Sequence, residues 1–323
     1  MSVDVSVLIV TYHCREAART CLQSLYEHAG DAAFEAIVVE NASGDGTAEM
    51  VAEEFPEARL FALAENVGFA RAINLAAEQA RGEYLLLLNP DTEVHPGLLD
   101  AFLAFARSLP EGAICGGRTL RPDGRLDPGS CWGAPTLWSL FCFATALSSV
   151  FRGTRLFDPE SLGGWKRDSV RDVDIVTGCL LFVPSQLWRE LGGFDPRFFV
   201  YGEDADLALR AAAAGVRRVI TPDAVVTHEV GVSSATRPDK LLLLYRGKVT
   251  LLTKHWSPVR SRVGVRLIAA GVGLRALLLG RGGGNASGWP ALWRARNEWM
   301  QGFEPAGASV SAGTHGGSER VSS

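Results

Sequence analysis

The sequence predicts an α/β fold built on a parallel sheet, and three features of its first hundred residues carry that prediction. Short aliphatic and β-branched runs recur, each is followed by a segment of helical spacing, and Asn, Gly and Pro mark the boundaries. Val5 to Val10 (VSVLIV) is a continuous apolar run, the pattern of a strand buried on both faces. Arg15 to His28 sets Ala18, Cys21, Leu22 and Leu25 on one helical stripe. FEAIVVE is the second strand, and GDGTAEMVAEEF turns on glycines into another helix. ARLFAL is the third strand. NVGFARAINLAAEQA is an Ala-rich helix with Asn66 near its start and Gly82 just past its end. YLLLL, ending at Leu88, is the fourth strand. Strand–helix repetition implies right-handed crossovers, and ligands in such sheets sit beyond the carboxyl ends of the strands. Thr11, Glu40, Asn66 and Asp91 are therefore expected along one edge.

Gly133 to Phe151 carries no charge. As a helix, Pro135 to Phe151 would be about 26 Å long, short of the roughly 30 Å a membrane span needs. A core helix and an interfacial segment both fit. The following stretch, DVDIVTGCLLFVPSQLWRELGGFDPRFFVYGEDADLALRAAAAG, reads as strand, helix, Gly-Gly turn, aromatic loop and a helix opened by Glu203 and Asp204, where acids favour a helix start. VRRVITPDAVVTHEVG reads as two short strands. From Pro238 the chain is helical and basic. Its apolar RLIAAGVGLRALLLGR is interrupted by Arg266 and Arg275, and a central Arg costs about 2.5–3.5 kcal/mol in a span, so this helix is expected to lie on a membrane or pack on the body. From Glu304 a Gly/Ser-rich tail is expected to be disordered.

The 323 residues are 47% hydrophobic and 21% charged, enough to build a core. A net charge of -4 argues against a dedicated nucleic-acid binder but leaves room for anionic small ligands held by local groups. The six cysteines form no C-x-x-C pair, which disfavours structural zinc, and a disulfide framework is not expected in a chain this long. Reduced thiols and an N-terminus without a basic leader predict a cytoplasmic protein, with peripheral contact at the inner face of the plasma membrane left open.

Three groups could carry chemistry. Asp91 closes the apolar fourth strand in LLLLNPDTEV; it is either a turn acid or an oxygen ligand for Mg²⁺ or Mn²⁺. Glu203, Asp204 and Asp206 crowd one helix start behind Phe198, Phe199 and Tyr201; they are either solvated helix-start acids or a general base whose pKa neighbouring carboxylates raise. His228 ends a strand as a structural imidazole or a neutral metal ligand.

Taken in order, VSVLIVTYH, VVENASGDGT, ENVGFARAIN, LLLLNPDTEV, TGCLLFVPSQLWRELGGFDPRFFVYGEDADLALR and THEVGVSS resemble family 2 glycosyltransferases, closest to the bacterial rhamnosyltransferase-like branch. The resemblance covers roughly residues 3 to 256, and GGFDPRFFVYGEDADL is its most specific piece. It implies a GT-A fold: a Rossmann-like, mixed but mostly parallel sheet flanked by helices, with a helical C-terminal extension. It divides the chain into a nucleotide-sugar half (1–125), an acceptor and catalytic half of the same domain (126–237), a basic helical region (238–303) and the tail (304–323). Thr11, Tyr12, Glu40 and Asn41 then line the nucleotide, with Glu40 where the family usually has Asp and His13 where it usually has Asn. Asn66, Gly68 and Asn74 match the helix beside the nucleotide. Asn89-Pro90-Asp91 matches the family's D-x-D element with its first acid replaced, which makes Asp91 and His228 the metal ligands. Asp204 matches the catalytic base, and Glu203 aids acceptor binding. The implied reaction is an inverting transfer of a sugar, rhamnose from dTDP-rhamnose first, to a glycan or polyprenyl-diphosphate-linked acceptor in cell-surface polysaccharide synthesis.

A UDP-galactose, UDP-galactofuranose or UDP-N-acetylglucosamine donor is the alternative within the family. A nucleotidyltransferase would show a Gly-rich loop with a basic residue after the first strand, and a dinucleotide oxidoreductase would show G-x-G-x-x-G; TYHCREAAR has neither. A non-catalytic sugar-binding descendant would have lost Asp91 or Asp204, and both are present.

Overall fold

The computed structural model describes residues 3–109, 111–229, 237–280 and 288–304, so the expected tail lies outside the described residues beyond Glu304. In chain order the elements are β1 (Val5–Thr11), α1 (Arg15–His28), β2 (Phe34–Glu40), α2 (Thr47–Glu54), β3 (Arg59–Ala62), α3 (Phe69–Gln79), β4 (Tyr84–Leu88), β5 (Thr92–Val94), α4 (Leu98–Arg107) and β6 (Ala113–Leu120). Then come β7 (Cys131–Trp132), α5 (Leu137–Ala144), α6 (Leu147–Val150), β8 (Arg171–Asp172), β9 (Ile175–Val176), β10 (Leu180–Pro184), α7 (Ser185–Leu191), α8 (Glu203–Ala213) and β11 (Arg217–His228). Helices α9 (Arg237–His255), α10 (Pro258–Gly280), α11 (Trp289–Arg294) and α12 (Arg296–Trp299) complete the described chain.

All seven residues of β1 are buried. Successive side chains point to opposite faces. Val5, Val7 and Ile9 therefore pack with Leu22 and Leu25 of α1 and Phe102 of α4, while Leu8 and Val10 pack with Ala70, Ile73 and Ala76 of α3. Two apolar layers thus sandwich one sheet. Its order is β3-β2-β1-β4-β10-β6-β11-β5, with β8 also on β11. Strands β1 to β4 pair in parallel, and β6 with β11 likewise. Strand β10 runs antiparallel between β4 and β6, and β5 and β8 are antiparallel to β11. The sheet is therefore mixed but mostly parallel.

Two expectations change. VRRVITPDAVVTHEVG holds one twelve-residue strand, β11, rather than two. Its register against β6 shifts between Ile220 and Val225, around Pro222, which has no N–H to give the ladder. The uncharged run is not a single helix: Thr136 and Ser139 form a capping box at α5, and the chain breaks at Ala146, with φ 63°, before α6.

Leu140 joins Tyr245, Val249, Leu252, Ile268 and Trp299 in a third core made by the C-terminal helices. Arg275 is buried in it, donating to the Phe143 carbonyl at 2.7 Å and to Ser149 Oγ at 2.9 Å, with its guanidinium 3.9 Å from the centre of the Phe143 ring. The arginine that interrupts the apolar helix is thus a fixture of packing. Among the described residues no helix is long and apolar enough to cross a membrane. All six cysteines are free and buried.

Candidate active site

The carboxyl ends of β1, β2, β4, β6 and β11 bring Thr11, Glu40, Asp91, Asp127 and His228 to one edge of the sheet. Three non-glycine residues with positive φ also lie in its loops: His13 (φ 50°), Ala42 (φ 60°) and Tyr201 (φ 68°). For a bulky residue such as Tyr201 that backbone is strained, a condition concentrated at functional sites.

On the β1–β2 side, Thr11 Oγ1 is buried with no hydrogen-bond partner, while Tyr12 is half-exposed against His13. Glu40 uses its carboxylate on its own turn, accepting from the Ala42 and Ser43 amides at 3.2 and 2.8 Å. Asn41 and Asn66 clasp each other: Asn41 Nδ2 donates to Asn66 Oδ1 at 2.9 Å, and the Val67 and Gly68 amides donate to the two side-chain oxygens. Gly68 (φ 83°) has no room for a side chain, since a Cβ would lie 2.5 Å from the Phe199 carbonyl oxygen. Asn74 holds the backbone of Phe194 by both amide atoms, at 2.8 and 2.9 Å. Asn41, Asn66, Gly68 and Asn74 therefore shape the loops around the edge, and Thr11 carries a buried hydroxyl without a hydrogen-bond partner at the end of β1.

Asp91 meets His228 because short β5 pairs with the end of β11, setting Thr92 opposite His228. The Glu229 amide donates to the Asp91 carbonyl at 2.9 Å. His228 Nε2 lies 3.2 Å from Asp91 Oδ1, yet that oxygen is buried without a hydrogen bond. On the other side of the ring, Nδ1 is 3.2 Å from Asp127 Oδ2. Burial disfavours the imidazolium, but the close contacts and charges of Asp127 and Asp91 outweigh it and carry His228 up to about 9. The same contact with His228 holds Asp127 below the usual carboxylate range against its own burial.

Asp91 and, once its Nε2 proton is lost, His228 could hold a divalent cation. Two donors bound side by side at about 2.1 Å stand about 3.0 Å apart, close to the 3.2 Å between Asp91 Oδ1 and His228 Nε2. Among the described residues no group of three or more His, Cys, Asp or Glu side chains could hold a metal ion. Mg²⁺ is commonly bound through one or two carboxylates, with water and phosphate completing its shell, so Asp91 would be the oxygen ligand there.

The acids meet this site across Thr177–Cys179, the break between β9 and β10. The Asn89 amide donates to the Cys179 carbonyl at 3.0 Å, and the neighbouring Gly178 amide donates to Asp204 Oδ2 at 3.1 Å. Burial pushes the Cys179 thiol up to about 12, and the charges of Asp127, Asp204 and Asp91 add to that. Asp204 Oδ1 also accepts from the Ala205 amide at 2.7 Å. Burial raises Asp204, opposed by those amides; burial and the charge of Asp204 raise Glu203 well above the carboxylate range. Glu203 Oε2 is buried without a partner. Asp206 belongs elsewhere: fully buried, it pairs with Lys254, His255 and Arg210 and ties α8 to α9.

Sequence reasoning missed Asp127. Its only signal is the Pro-Asp-Gly turn in LRPDGRLD, which folds the chain back on β6 so that the Asp127 amide reaches the Thr119 carbonyl at 3.0 Å.

A family model described as "Glycosyl transferase family 2" matches residues 6–173, a span that includes Thr11, Asp91 and Asp127. An N-acetylglucosaminyl-diphospho-decaprenol L-rhamnosyltransferase of Mycobacterium tuberculosis is 28% identical over 220 residues, 62% of this chain and 68% of the relative. Among solved structures, a mannosyltransferase of Pyrobaculum calidifontis in complex with GDP-Man and Mn²⁺ aligns with a TM-score of 0.54 at 20% identity, covering 93% of this chain and 84% of that one. S. aureus TarS 1-349 in complex with UDP-GlcNAc aligns at 0.52 and 17% identity, covering 93% and 82%. The chain spans 43% of the longer TarS chain. At these identities the two structures speak for the fold alone.

Proposed function

The chain belongs to glycosyl transferase family 2 and moves a sugar from a nucleotide-diphospho-sugar to an acceptor, and on that premise we propose that it is a metal-assisted, inverting rhamnosyltransferase. The proposed donor is dTDP-rhamnose, and the proposed acceptor is a hydroxyl of a glycan or polyprenyl-diphosphate-linked sugar. The similarity to the mycobacterial rhamnosyltransferase supports that choice of sugar and acceptor. The observation that carries the chemistry is that the Gly178 amide holds Asp204 while the adjoining Cys179 carbonyl holds Asn89, two residues before Asp91 and its contact with His228.

In this reading Asp91 and His228 hold Mg²⁺ or Mn²⁺. When bound, the ion neutralises charge developing on the departing nucleoside diphosphate. Asp127 fixes the imidazole through Nδ1 and so turns Nε2 towards Asp91. Thr11 Oγ1 offers the donor a hydrogen bond. Asp204 is the base: the Gly178 and Ala205 amides aim its carboxylate and favour its ionised form. It takes the proton of the acceptor hydroxyl while that oxygen bonds to the anomeric carbon and the bond to the diphosphate oxygen breaks, inverting the configuration in one displacement. Glu203, kept protonated by burial and by Asp204, donates a hydrogen bond to the acceptor. No protein nucleophile is needed, in keeping with six buried thiols.

The test is transfer from dTDP-rhamnose to a lipid-linked N-acetylglucosamine acceptor, with the product's anomeric configuration read by NMR. Inverted product dependent on Asp204 supports the reading. Retained configuration, or full activity of Asp204→Asn, overturns the mechanism; transfer only from a UDP-sugar overturns the donor.

A further inference from the structure

The expected membrane contact was spread over Gly133–Phe151 and the basic helices. The structure divides that run into an inner and an outer face. Leu140 and Cys142 are buried, whereas Trp138 and Phe141 are 44% and 42% exposed. Trp138 stacks on Phe141 with ring centres 5.6 Å apart and meets Phe157 at 6.3 Å, and Phe157 meets Phe151 at 4.9 Å. The four rings form one connected surface. Trp138 Nε1 donates to the Leu156 carbonyl at 2.6 Å, so the indole keeps no polar group in need of water. Arg275 ties α10 to Phe143 and Ser149, and one turn further on the same side of α10, Leu278 is 61% exposed.

Charge sets the occupant. No carboxylate occurs between Cys131 and Phe157, and the next one, Asp158, is engaged by the Gly153 amide at 2.9 Å, while Arg152 and Arg155 are exposed between the rings in sequence. Among the described residues neither forms an ion pair; Arg275 beneath the patch is likewise a cation. A second copy meeting this face about a two-fold axis would set arginine against arginine. An anionic lipid surface complements it, with rings at the acyl boundary and guanidinium groups at the phosphates.

We infer that the outer face of α5–α6, with Arg152 and Arg155, docks on a bilayer that carries anionic headgroups. This goes beyond the sugar-transfer reading and stands on separate observations. The two are linked through α9. Ser139 of α5 and Lys248 of α9 both bind Glu160, at 2.6 and 3.0 Å. Gly247, next to Lys248, lies against Tyr201 and Gly202 at the start of the acid helix. Helix α9 thus connects the docking face to the start of the helix that carries Glu203 and Asp204.

The experiment sediments the full chain with vesicles of phosphatidylglycerol and phosphatidylcholine in equal parts, and with phosphatidylcholine alone. Two variants are compared: Trp138→Ser/Phe141→Ser/Phe151→Ser, and Arg152→Glu/Arg155→Glu. The wild type is expected in the pellet with anionic vesicles only, less so at high salt, with each variant weakened about tenfold or more at an unchanged unfolding midpoint. If the aromatic variant misfolds, the arginine variant and quenching of wild-type tryptophan by brominated lipid carry the test. The inference is overturned if the wild type stays in the supernatant, if folded variants pellet like it, or if sedimentation velocity shows a dimer that the variants dissolve. Donor binding, measured without vesicles, is expected to be the same in all three proteins, so loss of docking and failure of the sugar-transfer reading are read separately.

Discussion

Asp127→Asn removes one charge from the His228 site and leaves an amide oxygen able to accept from Nδ1. In the wild type two carboxylates, each 3.2 Å from the ring, carry His228 to about 9. Against the ordinary 6.5 that is about 2.5 units, or roughly 3 kcal/mol of preference for the charged ring. Removing one of two similar partners should lower His228 by about one to two units. The sign for stability follows from a raised folded-state pKa: the contribution is fully present below about pH 6.5 and is lost as pH climbs through about 9. The variant should therefore be less stable than wild type by on the order of 1–2 kcal/mol at pH 6, and the two should converge near pH 10. The assay is an NMR titration of the His228 ring in chelator-treated protein, assigned with His228→Gln, alongside denaturant unfolding at both pH values. An unchanged titration midpoint, or a stability difference independent of pH, would refute the reasoning.

Asp204→Asn should cut turnover by about 10²–10⁴ and leave donor binding in calorimetry unchanged; loss of donor binding would point to a structural role. At Gly247 a Cβ would fall 1.9 Å from the Tyr201 carbonyl oxygen, so Gly247→Ala should displace the acid turn, costing activity together with about 1–3 kcal/mol of stability measured by denaturant melt. Burial raises Asp206, but hydrogen bonds from His255 and Lys254 and the charge of Arg210 bring it down to about 2. Its depressed pKa stabilises the fold above about pH 4 by on the order of 2 kcal/mol, and that is lost as pH falls through about 2. Asp206→Asn should flatten the acid limb of the stability curve.

The fold was legible where local pattern and tertiary environment agree. The apolar runs of β1 and β4 and the stripe of α1 follow from burial on both faces of a sheet, and they fix which strand ends face the ligand edge. The twelve-residue β11 was misread as two strands because Thr221-Pro222-Asp223 has turn chemistry, although flanking pairing with β6 carries the strand through it. The uncharged run hid its two faces because its exposed Trp138 and Phe141 are as apolar as its buried Leu140. The structure gathers the expected acids and His228 in the candidate site, while Asp127 gave little signal in the sequence. Its role arises from a hairpin that returns beside β11, a contact between residues 101 positions apart. Asn41, Asn66 and Asn74 look like polar ligands in sequence, and their amides instead pair with each other or with backbone across 25 to 120 positions.

Asp91 and His228 are proposed to hold a divalent ion beneath the diphosphate of a nucleotide sugar. Calorimetry of dTDP-rhamnose and the UDP-sugars, each with and without Mn²⁺, tests it most directly, with Asp91→Ala as the control. The account predicts tight binding of dTDP-rhamnose that requires Mn²⁺ and disappears in Asp91→Ala. Binding that is indifferent to Mn²⁺, or that survives in Asp91→Ala, would contradict it.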